Sequence, residues 1–184
     1  MYQFPNDLPI DNAPAVWALQ QFLLTVAESR FGQKNPEKKL YQPVFKNTIP
    51  HIINTPDGAF ASLSNNASMY WPTTLFELAH ETVHLLDPVT GSTNYLEEGI
   101  AVAFSVEMSH SYTNHPQQPN DDHNHYKKAW KLVLRLSEDW AKAALELRNK
   151  CGSLGSATPE NILALYPDTD NDLAEQLCSK CDFT

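Results

Sequence analysis

The residues best equipped for chemistry are His80, Glu81 and His84, in the run His80-Glu81-Thr82-Val83-His84. Two histidines four apart on a helix fall on one face, one turn apart, so both imidazoles can reach a single metal ion. The glutamate between them stands beside that ion, with no ligand duty of its own, and can take a proton from water. The chemistry on offer is metal-assisted attack of water.

That chemistry needs a helix, and the flanking residues predict one. Leu75, Leu78, Ala79, Thr82, Val83 and Leu86 recur at helical spacing as an apolar stripe, which leaves His80, His84 and Asp87 on another face. Pro72 and the pair Thr74 with Glu77, a capping-box pattern, mark the start; Asp87-Pro88 followed by Gly91 marks the end. The expected helix covers 73–87, about three to four turns. Five residues by themselves are also compatible with an ordinary helix surface.

A third ligand comes from the next segment. Fourteen residues after His84 stands Glu98, inside Leu96-Glu97-Glu98-Gly99-Ile100-Ala101, at the start of a second helix expected to run to about Met108. Over 73–108 the chain resembles the gluzincin zinc metallopeptidases, in which an H-E-x-x-H helix is followed by a glutamate ligand in a Leu-x-Glu-Gly-x-Ala setting. The resemblance implies His80, His84 and Glu98 as ligands of Zn2+ and Glu81 as catalytic base. Asn94 and Glu97 fit a capping box, which gives Glu97 a structural task. Glu97 and Asp87 nevertheless stay open as alternative ligands. The thermolysin-like branch carries an acidic residue four positions after the glutamate ligand to orient a bound histidine. Val102 stands there in this chain, so Glu97, Asp87 or a backbone carbonyl would have to orient the ring.

The resemblance also implies an oxyanion-stabilising Tyr or His downstream of the third ligand. His125 and Tyr126 are the candidates, with Tyr112 next. Three protein ligands leave a fourth position for water, which is the pattern of catalytic zinc. The expected reaction is hydrolysis of peptide or protein substrates, with Glu81 as general base and then general acid. The rival reading is a zinc-bearing binding or regulatory domain that processes nothing. A third is chance similarity in a purely structural helix.

Composition narrows the partners. A formal net charge of -9, from 13 Lys+Arg against 22 Asp+Glu, argues against nucleic acid or an anionic membrane surface. No run approaches the roughly 20 apolar residues that span a bilayer. Met1-Tyr2-Gln3-Phe4-Pro5 lacks the features of a signal peptide, so a cytoplasmic location is expected. Three cysteines, Cys151, Cys178 and Cys181, do not make a disulfide framework, and Cys178-Ser-Lys-Cys181 reads as plain thiols before it reads as half of a metal or redox site. Oligomeric state is not legible.

With 184 residues the expectation is one domain over 1–184, zincin-like and of α+β class: a small antiparallel sheet followed by a mainly helical remainder. A scaffold helix over 12–31, closed by Gly32, is expected to pack behind the metal helix. Between Leu40 and Trp71 short Val-, Ile-, Phe- and Tyr-rich stretches punctuated by Pro43, Pro50, Pro56 and Gly58 read as strands. Of these, 59–64 is either the cleft-edge strand that pairs with substrate backbone or a plain scaffold strand. The region 109–124, with His110, His115 and His123, reads as a polar loop whose histidines are solvated or, less simply, ligands. A long helix from Asp121 or Asp122 to about Lys150 and two short helices broken at Pro167 complete the chain.

Overall fold

A computed structural model describes residues 3–46, 49–89, 91, 93–119 and 124–181. Helix α1, Ala13–Phe31, opens on Asn12, whose Oδ1 accepts from the Ala15 amide at 3.1 Å, and Gly32 follows its end with φ 88°. Its stripe Val16, Leu19, Leu23, Ala27 and Phe31 is wholly buried, as the helical spacing requires.

The expected antiparallel sheet is overturned. Strands β1 (Lys39–Leu40) and β2 (Val44–Phe45) both run parallel to β4 (Gly58–Leu63), and only β3 (His51–Thr55) is antiparallel to it. Lys39 pairs with Gly58 but Val44 with Ser62, so the pairing offset shrinks by one residue across 41–43. One edge of β4 is thus lined by a single extended segment interrupted at Pro43, which has no N–H for the ladder. The other edge holds β3, joined to β4 by the tight turn at Pro56-Asp57, with Thr55 opposite Gly58. Because β4 inserts between segments that precede it, β1 and β2 each pair with β4 and only β3 pairs with its neighbour in sequence. This also removes 59–64 as a cleft edge, since β4 is paired on both sides.

Contacts divide the chain into two compact units. The first comprises Met1–Glu28, Gln33–Thr90 and Phe104–Gln118. It holds the sheet, most of α1, the short α2 (Asn65–Met69), the metal-motif helix α3 (Trp71–His84) and the second half of α4 (Tyr95–Tyr112). Val16, Leu19, Leu23, Ala61, Leu63, Leu75, Leu78, Phe104 and Met108 form its core, none more than 1% exposed. The second unit comprises Ser29–Gly32, Gly91–Ala103 and Pro119–Thr184. It holds the first half of α4 with α5 (Asn124–Leu136), α6 (Trp140–Cys151), α7 (Pro159–Leu165) and α8 (Asn171–Cys178).

Two boundaries differ from the sequence reading. Helix α4 runs on to Tyr112, so His110 is helical and the polar loop begins later. The expected helix to Lys150 is two, broken at 137–139, where Asp139 caps α6 by accepting from the Lys142 amide at 3.1 Å. Asp, like Asn and Ser, favours a cap over a helix interior because its short side chain competes for backbone amides. The break at Pro167 is found, with a full capping box at Thr158 and Asn161 opening α7. The proposed caps Asp121 and Asp122, and His123, lie outside the described residues. Among the described residues no helix is long and apolar enough to cross a membrane.

All three cysteines are free thiols. Burial, aided by the neighbouring Cys151 and Glu160, pushes Cys178 up to about 11; burial, aided by Glu98, pushes Cys181 up to about 12. The native state therefore keeps protons that the unfolded chain releases near the ordinary thiol value of 9.0. Stability is unaffected below that value and falls as pH rises through it. Denaturant midpoints measured at about pH 7.5 and about pH 10 should drop for the wild type and drop less for a Cys178→Ala/Cys181→Ala protein; equal drops would contradict this assignment.

Candidate metal centre

Helix α3 begins with Pro72 in its first turn, where the missing N–H is not required. Thr74 does not cap it. The Thr74 hydroxyl instead donates to the carbonyls of Ala67 and Tyr70, at 2.7 and 3.1 Å. Glu77 is likewise turned away from the helix start: its two carboxylate oxygens accept from the Ser64 amide at 2.8 Å and the Ser64 hydroxyl at 2.5 Å. The helix ends at His84, three residues before the expected stop. Its apolar stripe is buried, with α2, β3 and β4 in contact with the helix, and inside that stripe the Gln20 amide of α1 donates to Thr82 Oγ1 at 2.8 Å. Thr82 passes the chain on to the Leu78 carbonyl at 2.6 Å. Helix α1 thus meets α3 on its buried side through Gln20.

On the opposite face the imidazoles come together. His80 Nε2 and His84 Nε2 face one another at 3.3 Å, with ring centroids 5.1 Å apart and planes inclined by 62°. An ion roughly 2.0–2.1 Å from each nitrogen in a tetrahedral site holds its ligand atoms about 3.3 Å apart, so the observed spacing suits a shared ion. Glu98 completes the group: one ligand atom each from His80, His84 and Glu98 all lie within 4.8 Å of one another. Among the described residues no other set of three metal-ligating side chains converges in this way. The set of two nitrogens and one oxygen is that of an open, three-ligand zinc site, although the geometry does not by itself choose zinc among divalent ions.

The choice between adjacent glutamates follows from how α4 starts. Asn94 is its N-cap, with Oδ1 accepting from the Glu97 amide at 2.9 Å and Nδ2 donating to the Leu154 carbonyl at 3.1 Å. Tyr95 and Cys181 tie the same turn to the C-terminal segment through Tyr95 N to Ser179 O, 3.1 Å, and Cys181 N to Thr93 O, 2.8 Å. With the start held, Glu97 directs its carboxylate at the turn carrying Gly155, where a Cβ would lie 2.6 Å from Glu97 Oε2. Glu98, one position on, joins the histidines. Both carboxylates are buried, as is Glu81 at 2% exposure. Asp87 falls after the helix end and is outside the group. Val102 is a buried apolar residue at 1% exposure.

Gly99 has a packing reason. A Cβ there would sit 2.4 Å from the Ala129 carbonyl oxygen and 2.5 Å from Val133 Cγ2, so α5 crosses α4 in backbone contact one residue from Glu98. His125 and Tyr126 occupy the first turn of α5, one turn before Ala129, half-buried, with ring centroids 4.4 Å apart. Tyr112 packs edge-on against Phe22 at 5.0 Å, and His115 lies 6.1 Å from the Tyr70 ring. Sequence reasoning missed Glu77. Its carboxyl is pushed up by burial and held down by its two Ser64 bonds and by the nearby His80; a glutamate three residues before a ligand histidine, on the same face, was the available signal.

Gly99→Ala should cost about 1–3 kcal/mol in unfolding free energy, because α5 must shift to admit the methyl. It should also weaken metal uptake, since Glu98 moves with its neighbour. A Gly99→Ala protein with wild-type stability by denaturant titration would show that the close crossing is not required. Comparison of the chain with protein-family models, curated proteins and solved structures finds no match, so the functional reading rests on the geometry of these side chains.

Proposed function

We propose that this chain is a zinc-dependent metallopeptidase with His80, His84 and Glu98 as metal ligands and Glu81 as general base. The observation that carries the proposal is the convergence of those three ligand atoms within 4.8 Å, with a buried carboxylate between the two histidines in sequence. A bound zinc ion supplies Lewis acidity, polarising a substrate carbonyl and acidifying a water to a pKa of about 7.

The residues of the chain do the rest. Glu81 takes the proton from the attacking water on its carboxylate and hands it to the amide nitrogen as the peptide bond breaks. His125 and Tyr126 are proposed as donors to the oxyanion. Their support is the crossing at Gly99, which anchors α5 one turn beyond them and beside Glu98. The substrate is a peptide or protein.

A Glu81→Gln protein should bind one zinc per chain and lose about 10²–10⁴ of its hydrolytic rate, because the amide cannot carry the proton. The measurement is release of products from a mixed peptide library, with and without chelator, alongside metal analysis. Full activity in the Glu81→Gln protein contradicts the assigned base. Stoichiometric zinc with no chelator-sensitive cleavage by the wild type favours the alternative, a zinc-bearing binding domain. Tyr126→Phe should keep the metal and lower kcat about 10–10³-fold if its hydroxyl meets the oxyanion; unchanged kcat would remove Tyr126 from the site.

A further inference from the structure

The polar face of α3 extends beyond the two histidines. Thr73, Glu77, His80 and His84 follow one another at steps of four, three and four residues, so their side chains rise along one side of the helix. The middle of this row is fastened to the sheet. Ser64 immediately follows β4, caps α2 by accepting from the Ala67 amide at 3.2 Å, and gives both its own amide and its hydroxyl to the Glu77 carboxylate. Both carboxylate oxygens are used in this fork, at 2.8 and 2.5 Å. The N-terminal end of the row is tied down separately, with Gln117 Nε2 donating to Thr73 Oγ1 at 2.8 Å.

A two-point, charge-assisted clamp fixes direction as well as distance. It resists rotation of α3 about its own axis, the motion that would swing the shared face of His80 and His84 away from Glu98. Burial of Leu75 and Leu78 cannot do this alone, because hydrophobic contact is non-directional. From this geometry we infer that Glu77 is a positioning residue of the metal centre, setting the rotation of α3 through Ser64 so that the face shared by the two imidazoles meets Glu98. The inference rests on the metal reading above and names a residue that neither binds the ion nor transfers the proton.

The test uses the full chain and the metal ions Zn2+ and Co2+ as probes. Zinc affinity is read by competition with a chromophoric chelator, coordination geometry by the visible spectrum of the cobalt-loaded protein, and fold by metal-free thermal unfolding. Glu77→Ala should weaken zinc binding about 10–100-fold, the range typical of residues that orient metal ligands, and alter the cobalt spectrum. Glu77→Gln keeps one acceptor for the Ser64 amide and can donate to the Ser64 hydroxyl, so it should recover affinity to within roughly threefold of wild type. A Glu77→Ala protein with wild-type zinc affinity and cobalt spectrum, changed only in melting temperature, overturns the inference. Should Glu77→Ala fail to fold, Ser64→Ala takes its place: it removes the hydroxyl arm of the clamp, and unchanged affinity and spectrum would again overturn the inference. Absence of zinc binding in the wild type would overturn the metal reading itself and the inference with it, and is told apart from the other outcomes by that control.

Discussion

Two imidazoles on one helix meet the carboxylate of Glu98 only while that helix keeps its rotation and depth, so the site depends on what holds α3. Apolar burial provides most of the stabilisation: Leu75 and Leu78 are fully buried, each contributing about 1.5–3 kcal/mol. Direction comes from polar bonds. Gln20 meets Thr82 on the buried side, while Ser64 meets Glu77 and Gln117 meets Thr73 on the imidazole side. The helix is therefore held from behind by α1 and from the front by the end of β4 and the segment after α4. His80 and His84 lie one turn apart in any α-helix; it is these bonds that settle where their shared face looks.

The second contribution comes from α4, where a shift of one residue turns a side chain by about 100°. Glu97 and Glu98 are chemically identical, and only the start of the helix separates their roles. The Asn94 cap, reinforced by the C-terminal segment at Ser179 and Cys181, defines that start. Gly99 then allows α5 to lie against the α4 backbone one residue from Glu98. The small residue and the cap do for the third ligand what the polar bonds of α3 do for the first two.

Much of the site was legible in the sequence because it is local. The periodicity of α1 and α3, the Asn94 cap and the Glu98-Gly99 pair each depend on residues within a turn or two, and the structure brings together His80 and His84, which spacing put on one face, and Glu98, which the resemblance implied. What failed depends on distant pairing. Strands of two residues carry no alternation from which to read direction, so the parallel runs of β1 and β2 along β4 could not be told from a meander. Glu77 looked like a helix cap because Thr74 stood three residues before it, yet its partner Ser64 is thirteen residues away. The break at 137–139 was masked by apolar residues that kept helical phase on both sides of it. No residue near His125 and Tyr126 shows by spacing whether their rings serve the reaction.

The most direct check of the central claim is X-ray absorption at the zinc edge on protein loaded with one equivalent of Zn2+. The account predicts a first shell of two imidazole nitrogens with oxygen ligands at about 2.0–2.2 Å and no sulfur. A shell containing sulfur at about 2.3 Å, or failure to retain the ion through desalting, would contradict it.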